Sequence, residues 1–149
     1  MDYSELVNLY EALEKTTKRL EKTEILSNFL KKIDKDDFGF VMYLLQGKVF
    51  PSWDERKIGM SSRIMLKVIA KATGISSEKV EDEWRRIGDL GMVSEELIKN
   101  KKQRTLHFFK LKVEKVFENI RKLAELEGKG TVDKKINFLC FQKPFLPLI

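Results

Sequence analysis

Cysteine and histidine are almost absent: the 149 residues hold one of each, Cys140 and His107. A lone cysteine excludes an internal disulfide, and the two together cannot make an all-Cys/His zinc site. One histidine, without any supporting signature, gives no ground for a histidine-based triad. No apolar run approaches the roughly 20 residues that span a bilayer, and the N-terminus is acidic where a signal peptide is basic. An intracellular protein with no membrane association is therefore expected. Carboxylates are plentiful, but none falls in a recognisable acid–base or metal-binding arrangement. Asp34, Asp36 and Asp37 resemble a calcium loop only superficially, lacking its glycine and distal glutamate. No catalytic residue and no metal ligand is assigned.

What is present is a globular composition. Hydrophobic residues make up 42% and charged residues 35%, which sets the chain apart from disordered sequences, and its length suits one domain. High Lys and Glu content is a weak thermophile signal. The net charge is +6, and its location matters more than its size. Between Lys99 and Lys115 stand seven basic residues (Lys99, Lys101, Lys102, Arg104, Lys110, Lys112, Lys115) against one acid, Glu114. That stretch accounts for the whole excess. Such clustering suits a polyanion, although a solvated loop that keeps the protein soluble explains it equally well.

Nearly every segment has helical periodicity. Leu6, Leu9, Tyr10 and Leu13 form one stripe, and Ile25, Leu26, Phe29, Leu30 and Ile33 form another. Asp36 and Asp37 are suited to cap a helix carrying Val41, Leu44 and Leu45. Residues Gly47 to Gly59, with Pro51 and Trp53, read as a loop. Ser61 or Ser62 opens a helix that stops at Gly74, and Ser76 caps the next. Val113, Val116, Phe117, Ile120 and Ala124 mark a long helix ending at Gly128. No period-two strand pattern and no internal repeat is present. The predicted class is all-α, an irregular multi-helix bundle. From Asn137 the chain changes character: Pro144 and Pro147 break any helix, and the apolar residues lack a clean period. The expected division is a helical domain over 1–136 and an atypical apolar tail over 137–149. Such a tail either packs into a partner, a second copy included, or marks a truncated or out-of-frame end.

Three places suit binding. Gly128-Lys129-Gly130-Thr131 lies between two helices, with Thr131 placed to cap the second. Glycines let backbone N–H groups approach a phosphate, and a helix N-terminus adds positive potential. Lys134 and Lys135 follow in the first turn, where the helix dipole disfavours cations unless an anion neutralises them. A turn with two solvated lysines is the simpler alternative. The spacing is not that of a Walker loop. Lys15-Thr16-Thr17-Lys18-Arg19 sets hydroxyls beside cations, a frequent surface pattern that also positions phosphates. Gln103, Leu106, Phe108 and Phe109 place large apolar groups within the basic stretch. They either fold into the protein's own core or serve as anchors for a partner's pocket.

The runs YEALEKTTKRLEKTEILSNFLKK (Tyr10 to Lys32), GKVFPSWDERKIGMSSRIMLKVIAKATG (Gly47 to Gly74), GDLG (Gly88 to Gly91) and Val116 to Ile136 together resemble the N-terminal DNA-binding domain of archaeal ATP-dependent DNA ligases. The resemblance implies an all-helical domain that grips duplex DNA through the minor groove around a nick, without sequence preference, in DNA replication, repair and recombination. It aligns Thr17 and Arg19 with phosphate-contacting positions, and Lys129, Gly130, Thr131, Lys134 and Lys135 with a backbone-contact loop. Gln103 to Phe109 resembles a docking peptide for a sliding clamp of the PCNA type, with its aromatics one position early. The adenylated lysine of complete ligases lies in K-x-D-G, which this chain lacks, and a second glycine-rich contact loop is also missing. The resemblance thus implies no ligation and no cofactor for this chain, with ATP and Mg expected for the full-length enzyme. The alternative is a helical module that docks to the clamp without appreciable DNA binding.

Overall fold

A computed structural model describes residues 1–99 and 110–141 of the chain. The described residues form eight helices and no strand: α1 (Tyr3–Glu14), α2 (Arg19–Leu30), α3 (Lys35–Leu45), α4 (Ser62–Thr73), α5 (Ser77–Ile87), α6 (Leu90–Lys99), α7 (Val113–Glu125) and α8 (Thr131–Phe141). The class is all-α, as the periodicity predicts. The chain divides into two compact units. One comprises Met1–Arg56 and Lys110–Arg121, and the other lies within Lys57–Phe109 and Lys122–Ile149.

In the first unit, Leu6 and Leu9 of α1, Val41 of α3 and Val113 of α7 are buried together. Tyr10, Leu13, Ile25, Leu26, Phe29 and Leu44 pack around them, so the helical stripes of the sequence become one core. α2 contributes only partly buried residues, and its Leu20 is 83% exposed. The third helix is entered from Asp34, with Asp36 and Asp37 in its first turn, where acids complement the dipole. Sequence periodicity does not foresee the clasp at the start of the chain. Tyr3 N donates to Leu111 O at 2.7 Å and Val113 N to Met1 O at 3.2 Å, around an isolated antiparallel bridge between Asp2 and Lys112. The Met1 ammonium pairs with Asp37. Lys112 and Lys110 both reach the Asp2 carboxylate, at 2.7 and 3.4 Å, and the pairing with Lys112 foremost holds that carboxyl below its usual range. Burial raises the Tyr10 hydroxyl to about 12, and nearby Tyr3 adds to the effect.

The second unit is built on α4, α5, α6 and α8. Ser61 accepts from Ile64 N and Ser76 from Lys79 N, opening α4 and α5, and α4 stops at Gly74, where φ is 77°. Asp89 accepts from Met92 N at 2.8 Å and opens α6. Leu66, Ile69, Ala70, Val80 and Val93 form the core, flanked by Ile75, Trp84, Ile87, Leu90 and Leu97. On the surface, Arg86 of α5 bonds Glu83 on its own helix (2.5 Å) and Glu96 on α6 (3.0 Å).

Ile69 is fully buried and Leu20 is not, so their truncations should differ sharply. Ile69→Ala is expected to cost about 2–5 kcal/mol and Leu20→Ala less than about 0.5 kcal/mol. Urea denaturation followed by far-UV circular dichroism measures both.

Candidate nucleic-acid interface

α7 stops at Glu125, and the chain turns through Gly128 and Gly130 before α8 begins. Both glycines hold positive φ, 87° and 73°, a conformation that costs an L side chain roughly 1–2 kcal/mol. A Cβ at either position would meet nothing within 4 Å, so the turn is open to solvent. Thr131 departs from the expected capping role. It is the first residue of α8, and its hydroxyl and amide both donate to the Gly128 carbonyl. Facing back into the turn, the hydroxyl closes the loop instead of accepting from α8. Lys134 N donates to Gly130 O at 3.0 Å. Among the described residues the amides of Val132 and Asp133 meet no backbone acceptor, which leaves the donor set that helix N-termini offer to anions. Lys129 and Lys134 are exposed beside it.

Lys135 is different. It is only 5% exposed, and its ammonium donates to Ile58 O at 2.6 Å and Gly59 O at 3.5 Å. Among the described residues it has no carboxylate partner. The contact ties α8 to the segment that enters α4. Gly59 has φ 62°, and a Cβ there would lie 2.8 Å from the Lys135 Nζ, so a side chain would be both strained and crowded. Lys71 of α4 adds a second tie through the Asn137 side-chain oxygen.

Thr17 and Arg19 lie in the first unit, at the turn between α1 and α2, and both are exposed. Their neighbours are engaged: the Thr16 hydroxyl donates to Glu21 at 2.5 Å, and Lys18 Nζ lies 2.7 Å from the same carboxylate. Lys18 first, then Thr16, keeps the Glu21 carboxyl below its usual range. Thr17 and the Arg19 guanidinium have no such partner among the described residues. Gln103, Leu106, Phe108 and Phe109 lie outside the described residues.

One constellation escapes sequence reading. In the loop after α3, Arg56 stacks over the buried Phe50 ring (4.3 Å to its centroid), and Arg121 of α7 approaches the same ring (5.4 Å) and Phe117 (5.7 Å). Arg56 also clamps Asp54, with Nε 3.0 Å from both carboxylate oxygens and Nη2 2.6 Å from Oδ2. These side-chain bonds chiefly, with the Arg56 backbone N–H next, lower the Asp54 carboxyl to about 2. The signal in sequence was the pair of aromatics, Phe50 and Trp53, followed by Arg56.

No group of three or more metal-capable side chains occurs among the described residues, and no helix there is long and apolar enough to cross a membrane.

Lys135→Met removes the ammonium that holds Ile58 and Gly59, and should lower stability by roughly 1–3 kcal/mol, read by chemical denaturation. In an NMR titration, the Asp54 carboxyl should have its midpoint at about 2 and return toward 3.8 in Arg56→Ala. Because the folded value lies below the ordinary one, this pairing stabilises the fold above the ordinary carboxylate range. It is lost as pH falls through about 2.

Comparison with known proteins gives a single answer. The family described as DNA ligase N terminus matches residues 2–141. A DNA ligase of Methanobrevibacter smithii is 40% identical over 139 residues, covering 93% of this chain and 25% of the relative. A DNA ligase of Methanothermobacter thermautotrophicus is 42% identical over 137 residues, covering 92% and 25%. A DNA ligase of Thermococcus onnurineus is 38% identical over 139 residues, covering 93% and 25%. The chain thus spans about a quarter of the length of these archaeal relatives.

Proposed function

The chain belongs to the DNA ligase N-terminus family, and from that premise we propose that it grips duplex DNA by the backbone around a nick. It does so without reading sequence, as the N-terminal part of an ATP-dependent ligase. The observation that carries this reading is the open Gly128–Gly130 turn, where exposed Lys129 and Lys134 flank the free amides at the start of α8. Amides and ammonium groups together make a phosphate site, and phosphate contacts position a duplex whatever its sequence. Nicks occur anywhere, so a nick-sealing enzyme requires that indifference. Gly130 lets the backbone come close, and Thr131 keeps the turn closed. Lys135 acts from beneath by holding α8 to residues 58–59, and its unneutralised charge adds to the local field. Thr17 and Arg19 supply a second phosphate contact from the first unit. Sealing itself requires an adenylated lysine from beyond this segment, so this chain contributes grip and not chemistry.

Binding measured by fluorescence anisotropy on nicked duplexes of two unrelated sequences should agree within about twofold, since phosphate contacts carry no sequence information. Affinity should fall steeply with salt. Lys129→Ala with Lys134→Ala should make the log–log salt slope shallower by roughly 2, two phosphate contacts at about 0.9 each. No binding at low salt by a folded sample would overturn the proposal and favour clamp docking.

A further inference from the structure

The loop after α3 is held at several points between residues 48 and 56. Val49 and Phe50 are buried, at 5% and 7% exposure. Asp54 N closes a turn onto Pro51 O at 3.0 Å, and Lys48 Nζ donates to Ser52 Oγ at 3.2 Å. Asp54 is clamped by Arg56, which is itself stacked on Phe50. Trp53 stands at the tip of this turn with 84% of its surface exposed. An indole is the largest apolar group a chain can offer, and holding one in water on an ordered turn is costly unless something covers it. The turn is already ordered, so a ligand stacking on the indole need not pay to fix it.

We propose that Trp53 is an aromatic contact for nucleic acid held by the first unit, stacking on a sugar or base face while Arg121 meets the adjoining phosphate. The proposal rests on the DNA-binding reading above and adds to it a residue, and a kind of contact, that the phosphate sites do not supply. Arg121 makes no ion pair among the described residues and is held by the Phe50 and Phe117 rings. It also lies close enough to the turn to help lower the Asp54 carboxyl. The chemistry beside the indole favours a polyanion over an apolar protein surface. Lys48 of the loop and Arg121 of α7 are the cations left over, Arg56 and Asp54 neutralise each other, and Glu55 is the remaining acid of the turn. Protein hot spots sit inside a rim of further contacts that exclude water, whereas the residues flanking Trp53 are an exposed Ser52 and the arginine-paired Asp54. A single aromatic among cations is the arrangement that takes a base or sugar face, either at a strand break or as a wedge in a groove.

The chain has two tryptophans, and Trp84 packs against the core of the second unit. In the full chain carrying Trp84→Phe, Trp53 is therefore the only indole. Its emission should be quenched as nicked duplex is added, in step with anisotropy of the labelled duplex. Trp53→Ala should weaken binding about tenfold with an unchanged salt slope, and Trp53→Phe should recover it to within about threefold. Quenching by nicked but not intact duplex would assign the contact to the break, and quenching by both to the groove. Anisotropy that reports binding while Trp53 emission stays constant and Trp53→Ala binds normally would overturn this proposal and leave the DNA-binding reading standing. Failure to bind any duplex would remove both. Emission that shifts with protein concentration alone, and not with DNA, would give the indole to a protein contact instead.

Discussion

An ammonium taken out of water must find oxygen, and in the second unit that requirement is met by backbone. Lys135 reaches past its own helix to the Ile58 and Gly59 carbonyls. Much follows from this placement. α8 is secured to the entry of α4, Gly59 is confined to a residue without Cβ, and the open turn before α8 gains a firm base. A carboxylate partner would have satisfied the same lysine and cancelled its charge. Carbonyls satisfy it and leave the charge in place, as the phosphate contact proposed above requires.

The two units solve the problem of closure differently. In the second, side-chain caps and a buried aliphatic cluster define α4, α5 and α6, while polar ties from Lys135 and Lys71 hold α8. In the first, the chain's opening residues are paired with the residues that lead into α7. Part of the basic stretch between Lys99 and Lys115 is used there, where Lys110 and Lys112 face Asp2, and in the second unit Lys99 pairs with Glu95. A cluster of positive charge in sequence is thus partly spent on structure. The exposed cations at the candidate contacts are Arg19 in the first unit and, separately, Lys129 and Lys134 in the second.

The helices and most of their ends were legible because their signals are local. Ser61, Gly74 and Ser76 act within one turn of themselves, and the stripes of α1, α2 and α3 follow from a 3.6-residue period. Asp34, not Asp36 or Asp37, takes the N-cap position of α3, without a side-chain cap hydrogen bond, a shift of one turn or less that pattern reading does not decide. The candidate site was legible as a stretch and not as individual roles. Lys134 and Lys135 are neighbours in sequence, but successive residues of a helix point about 100° apart, so one faces solvent and the other the interior. Only the position of α4 decides which. The same holds for Trp53 and Phe50, three residues apart in one loop and opposite in exposure. The family resemblance located these segments, while the fate of each side chain depended on contacts distant in sequence.

The joint between α5 and α6 has a bearing on heat. Arg86 divides its guanidinium between Glu83 and Glu96, an exposed network that contributes little at room temperature. Ions lose hydration free energy as temperature rises, and the penalty for bringing them together shrinks while apolar stabilisation levels off. On warming, this joint therefore contributes more to the second unit than it does at room temperature, while the aliphatic core beneath it gains little.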